Sequence, residues 1–271
     1  MAEKEGMQAG FISQSLSDIL HANPGGYATF YRRAQRVLND PVVDIETKQG
    51  LIRLLSRAAT PAAVQLLADL WRQGVPERLE PSILAAISEV GDYFWSKGSF
   101  PEVAPTLLQL WRQSQDPRML SAVAAAMANM ADPGSLEVLF EAVLGAGKSP
   151  AELQRSSDPR VSAAWSALQR LHTTDSAAAV ASRLRSGTSA GETAITANVL
   201  AGIGQIEATQ ALLSWATGLG DGYVPLVREA FARVRTAECV NYLKSAMSSN
   251  PAFASELVRQ AILAELDKRR P

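Results

Sequence analysis

The segment Ala142-Val143-Leu144-Gly145-Ala146-Gly147-Lys148-Ser149 fits a relaxed phosphate-binding loop. Such a loop needs a buried strand before it and a helix after it, so that backbone N–H groups surround the phosphates. Here the preceding residues, SLEVLFEAVL, have helical periodicity, and Pro150 follows at once. The segment reads as a helix end and a loop, not a nucleotide site. His21 and His172 are the only histidines, and neither has a partner at metal-ligand spacing. His172 falls at a helix C-terminus, where an imidazolium interacts favourably with the dipole. Cys239, the single cysteine, lies in the apolar run AECVNYL and reads as an inert buried thiol. Paired carboxylates can cleave glycosides, and Glu89 and Asp92 are three residues apart. Asp92, however, aligns with Asp132 as a repeated turn residue. No nucleophile–base pair is visible. These residues predict no catalytic site, no metal, no cofactor and no enzyme activity.

The elements that hold these residues are repeated. Residues 61–92 align without a gap onto 101–132, including Pro61/Pro101, Leu70/Leu110, Trp71/Trp111, Arg72/Arg112, Arg78/Arg118 and Asp92/Asp132. Self-similarity at such a period marks an array of supersecondary units, none able to bury its apolar face alone. Ala58, Val90, Met130, Leu171, Ile203 and Val234 form one column of turn anchors. Three residues before each stands a large side chain (Leu55, Ile87, Met127, Leu168, Leu200, Phe231). Four before stands a mostly small one (Leu54, Ala86, Ala126, Ala167, Val199, Ala230). Those offsets place all three columns on one helical face.

Helix starts are punctuated by Thr60-Pro61, Asp116-Pro117, Asp132-Pro133 and Asp158-Pro159, each an N-cap residue before a proline at the first helical position. First helices are predicted near 26–39, 61–73, 101–113, 133–146, 174–186, 206–218 and 236–248. Second helices are predicted near 43–58, 80–97, 117–131, 158–172, 189–204, 222–235 and 251–268. A short helix at 11–22 would cap the N-terminal end, and the charged tail Asp267-Lys268-Arg269-Arg270 suits the other.

Composition limits the function classes. The chain is 47% hydrophobic but only 6% aromatic, and no period-2 run predicts a strand. Net charge is −1, against a surface built to neutralise phosphates. The charge is uneven: residues 61–140 hold five basic and nine acidic side chains, residues 141–271 fourteen and twelve. MAEKEGMQAGF lacks a secretory pattern and no apolar run reaches membrane-spanning length. A cytoplasmic protein without membrane insertion is expected.

Two surfaces are candidates for binding a partner. The column one residue before each anchor is Arg57, Glu89, Asn129, Arg170, Gly202 and Arg233, polar in five of six copies. It should face outward from the second helices. Four residues earlier stand Ala85, Ala125, Ser166, Asn198 and Glu229, small or polar, leaving room for a ligand. The second surface is Tyr93-Phe94-Trp95 with Phe100, an aromatic insertion in an aromatic-poor chain. Tyr27, Phe30 and Tyr31 with Arg32, Arg33 and Arg36 form a third cluster, whose spacing predicts packed rings and solvated arginines.

DPRVSAAWSALQRLHTTDSAAAVASRL (158–184) and ETAITANVLAGIGQIEATQALLSWA (192–216) resemble the short HEAT-like repeats of phycobilin lyase subunits and many bacterial scaffold proteins. His172 and Arg235 depart from that pattern, standing where such repeats usually place a turn glycine. The resemblance implies an all-α fold, a right-handed α-α superhelix or solenoid of about seven HEAT-like helical hairpins. One domain over 1–271 is expected: capping helices and a first hairpin to 58, repeats over 59–250, and a closing helix over 251–271. The expected function is a non-enzymatic scaffold or adaptor, docking another protein or peptide in a concave groove through Arg57, Glu89, Asn129, Arg170, Arg233, Tyr93, Phe94 and Trp95. Two alternatives stay open: an accessory subunit that holds a substrate protein, as in phycobilin lyases, and a HEAT-like nucleic-acid binder, which the near-neutral charge disfavours.

Overall fold

The computed structural model of the chain describes residues 15, 18–20, 22, 28–92, 101–186, 189–249 and 251–268. Tyr93, Phe94, Trp95, Phe100, His21 and Tyr27 lie outside them, as does most of the expected helix at 11–22. The chain divides into two compact units, Met1–Ser135 and Leu136–Pro271.

In the first unit three helical pairs follow one another: α1 (Ala28–Asn39) with α2 (Ile45–Ala58), α3 (Pro61–Gln73) with α4 (Glu80–Ser88), and α5 (Ala104–Gln113) with α6 (Pro117–Met130). First helices pack on first helices, α1 on α3 and α3 on α5. Second helices pack on second, α2 on α4 and α4 on α6.

The second unit contains most of α7 (Pro133–Leu144), then the one-turn α8 (Pro150–Leu153), α9 (Pro159–Leu168), α10 (Thr174–Ser186) and α11 (Ala190–Gly202). It ends with α12 (Ile206–Thr217), α13 (Val224–Phe231), α14 (Ala237–Ser248) and α15 (Glu256–Asp267). Layering is the same: α10 packs on α12 and α12 on α14, while α11 packs on α13 and α13 on α15. No strand occurs among the described residues, and the fold class is an all-α solenoid of stacked hairpins.

Capping follows from residue type. Asp44, Thr60, Asp116, Asp158, Ser189, Thr236 and Ser255 each accept the N–H of a first-turn residue, satisfying donors that have no intrahelical partner. The Thr47 N–H and hydroxyl hold the Asp44 carboxyl below its ordinary pKa.

The three predicted columns are the core. Every large residue and every anchor is at most 4% exposed, and of the small column only Leu54 is half-buried.

Second helices are shorter than the periodicity predicts, because the last turn tightens before the anchor. The N–H of Val90, Leu171, Ile203 and Val234 donates to the carbonyl of Ile87, Leu168, Leu200 and Phe231, three residues back, at 3.2–3.4 Å. The next residue then reverses the chain. Ala59, Gly91, Ala131 and Gly204 stand there with φ of 43°, 82°, 49° and 75°. His172 and Arg235 occupy the same position without a positive φ.

Gly91 is constrained twice. A Cβ there would lie 2.7 Å from Met130 Cγ and 3.3 Å from Met130 N, besides the left-handed backbone. Gly91→Ala should therefore cost about 2 kcal/mol or more, since the left-handed conformation alone costs roughly 1–2 kcal/mol for an L-residue. Gly147→Ala, also at positive φ (62°) but with nothing within 4 Å of the added carbon, should lose only that smaller amount. Urea unfolding midpoints of the two variants check the difference.

Candidate partner-binding surface

The turns that close the second helices carry the predicted column, and side chains there tie neighbouring pairs together. Asn129 Nδ2 donates to Ser88 O at 2.8 Å and to Val90 O at 3.4 Å. Ser88 closes α4 and Val90 lies two residues beyond it, so neither carbonyl has an intrahelical donor. Ser56 Oγ donates to Ala86 O at 2.7 Å, and Gln205 Nε2 to His172 O at 2.7 Å. Asn129 is thus engaged inside the fold. Arg57 is half-buried, whereas Glu89 is exposed beside the exposed Asp92.

In the second unit the same edge is basic. Arg170, His172 and Arg235 are exposed and Arg233 is half-buried. His172 Nδ1 donates to Arg170 O at 3.0 Å, so the unusual turn is held by its own ring. Arg233 Nη2 donates to Gln169 Oε1, joining the end of α13 to the end of α9. Burial, and then the positive charge of Arg235, push the Arg233 guanidinium below its ordinary pKa, with Glu229 acting the other way. Among the described residues no carboxylate lies within ion-pair distance of Arg170, Arg233 or Arg235. Other arginines are matched: Arg72 with Asp69, Arg118 with Glu80 and Asp116, Arg259 with Glu256.

The expected room for a ligand is not continuous. Ala85, Ser166 and Glu229 are exposed, but Ala125 and Asn198 are buried. This corrects the reading of that register as an open line, because α6 and α11 are enclosed on nearly all sides: Ala122–Ala128 and Ile195–Ala201 are buried without interruption.

The remaining candidates resolve into structure. Glu152 accepts from the Ser149 N–H and hydroxyl at 2.9 and 2.7 Å and so starts α8, while α7 rather than a strand precedes Gly147. Cys239 is buried. On α1, Phe30 and Tyr31 meet edge to face at 5.3 Å while Arg32, Arg33 and Arg36 reach solvent. No group of three or more His, Cys, Asp or Glu placed to hold a metal occurs among the described residues. Nor is any described helix long and apolar enough to cross a membrane.

Arg183 is a residue that no sequence pattern marks. Its guanidinium stacks on Phe140 at 4.8 Å and pairs with Glu137 and, at 2.9 Å, with Glu192, joining α7, α10 and α11. Its partners stand at unrelated spacings, so there is no periodic signal to find.

No protein-family model matches the chain, and no curated protein matches it. Among solved structures, human deoxyhypusine hydroxylase in complex with glycerol is similar at a TM-score of 0.32 and 15% identity, over 88% of this chain and 95% of that one. Likeness at this level transfers no reaction, substrate or ligand. It does correct one expectation. The neighbour is an enzyme, so the step from helical repeats to a non-enzymatic scaffold does not hold.

Asn129→Ala would leave two helix-end carbonyls without their donor. It should cost about 1–2 kcal/mol, read as a lower unfolding midpoint, with no change in the helical signature of the folded protein.

Proposed function

We propose that this chain recognises an acidic stretch of another polypeptide along the turn edge of its second unit, with Arg170 and Arg233 as charged contacts and Arg235 and His172 beside them. One observation supports the reading: three arginines share this edge with no carboxylate partner among the described residues, and the charge on Arg233 is disfavoured first by burial and then by Arg235. A carboxylate arriving here gains Coulomb energy and relieves that repulsion. Charge complementarity of this kind mainly raises the association rate and fixes orientation.

Nucleic acid fits less well. Strong duplex binders make roughly 6–10 phosphate contacts, and this edge offers three guanidinium groups with Glu229 close by. Separately, on the first unit, Arg57, Glu89, Tyr93, Phe94 and Trp95 are proposed as partner contacts in their own right. Catalysis on a bound segment is compatible with recognition at this edge, and the absence of a reaction is no part of the proposal.

The test is binding of a fluorescent Asp/Glu-rich peptide to the full chain at low and high salt. Arg170→Glu/Arg235→Glu should weaken it about tenfold or more, equivalent to about 1.4 kcal/mol, at unchanged melting temperature, and salt should weaken the wild type likewise. Absence of binding at low ionic strength, or indifference to the double reversal, would remove the assignment. Stronger binding of an oligonucleotide of equal charge would replace the acidic polypeptide with nucleic acid.

A further inference from the structure

A groove of about 530 Å³ lies between α13 and α15, with Val224, Leu257, Ala261, Leu263 and Ala264 along it. Among the described residues of the second unit, the exposed large hydrophobic side chains are Leu257, 53% accessible, and Tyr223, 41% accessible. Leu257 lines the groove, and Tyr223 immediately precedes Val224. Single exposed apolar residues are ordinary. Two of them beside one apolar groove form a patch of the kind that marks an interaction site, and the volume suits large side chains of a ligand.

The charges that line the groove differ in how they are used. Asp221, where both helices begin, accepts the Ser255 hydroxyl. Arg228 is exposed and has no carboxylate partner among the described residues. It stands three residues before the end of α13 at Phe231, about 4.5 Å along the axis, and Arg233 and Arg235 follow. Asp267, also lining the groove, is the last residue of α15. The groove therefore opens at the ends of both helices, onto the edge that carries Arg233 and Arg235.

We infer that the acidic segment carries a large apolar side chain at one end of its acidic run, seated in this groove on Val224 and Leu257, with the adjoining carboxylate on Arg228. The inference rests on the recognition reading above, since Arg228, Arg233 and Arg235 lead the segment from the edge into the groove. It adds an apolar anchor to a partner otherwise described by charge alone. Asp267, at the mouth, repels the arriving carboxylates and limits the affinity.

The experiment uses three peptides of equal length and charge: an Asp/Glu run flanked by Ser, and two versions with Leu in place of the Ser at one end of the run or the other. One Leu peptide should bind the full chain about tenfold more tightly than the Ser peptide, and the other about equally. The asymmetry follows because α13 is bridged to the end of α9 on one side and packs on α15 on the other. Leu257→Ser and Arg228→Gln, both at exposed positions, should each remove most of that gain at unchanged melting temperature. Asp267→Asn should raise the affinity about threefold, the scale of an exposed charge pair.

If neither Leu peptide gains, while Arg170→Glu/Arg235→Glu still weakens all three, the groove lies outside the site and the recognition edge survives alone. A gain that is equal at both ends, or that persists in Leu257→Ser, would be unspecific adhesion and end the inference. A dimer that forms without peptide and is lost in Leu257→Ser would give the groove to a second copy instead. If no peptide binds at all, both readings fail together.

Discussion

Each second helix carries a stripe that cannot be buried within its own hairpin. Leu55, Ile87, Met127, Leu168, Leu200 and Phe231 are almost wholly inaccessible, and the second helices that carry Leu55, Ile87 and Met127, and those that carry Leu200 and Phe231, pack on one another. Fully burying a side chain of this size contributes about 1.5–3 kcal/mol, more than the roughly 1 kcal/mol of an N-cap. Stacking therefore stabilises the fold more than capping does, while the caps set where each helix begins. The mostly small column, Ala86, Ala126, Ala167 and Ala230 among it, brings the backbones close enough for those side chains to meet.

Close stacking leaves helix ends crowded together, and the ends are where the chain's polar chemistry collects. A second helix must stop so that its anchor, such as Val90 or Val234, can turn inward. The tightened last turn does this in four of the six copies, and the freed carbonyls of α4 are taken by Asn129 from the next pair. Where alanine or glycine follows the anchor, the chain reverses through a positive φ. With His172 and Arg235 it reverses without one, and those two side chains remain at the surface. The same departure that alters the turn thus puts an imidazole and a guanidinium on the edge.

The polar interactions are unevenly satisfied. Arg183 is locked by Glu137, Glu192 and the Phe140 ring, and the first-turn donors of most helices are capped. Unmatched charge lies at Arg170 and Arg233, whereas unpaired buried atoms are spread over Ser135, Gln169, Thr196, Asn198, Arg233 and Arg259. Departures from local consistency tend to mark functional positions. Architecture alone does not decide what happens there, since helical repeats serve enzymes and binding proteins alike.

The helices, their pairing and their core were legible in the residues alone. Periodicity and capping are local signals: Thr60-Pro61 states a helix start and the spacing of Leu168 and Leu171 states a buried face, whatever lies beyond. The same reading put Arg170 and Arg233 in one register, because a repeat makes equivalent positions neighbours. Which polar residues are consumed internally came instead from packing between hairpins. Asn129 reads in sequence like any exposed polar residue, yet its amide belongs to the end of α4, 39–41 residues earlier in the chain. Asn198 reads as open groove, yet it is buried and its oxygen has no donor. Burial and hydrogen bonding depend on what the neighbouring pair places overhead, and no spacing within one repeat encodes that.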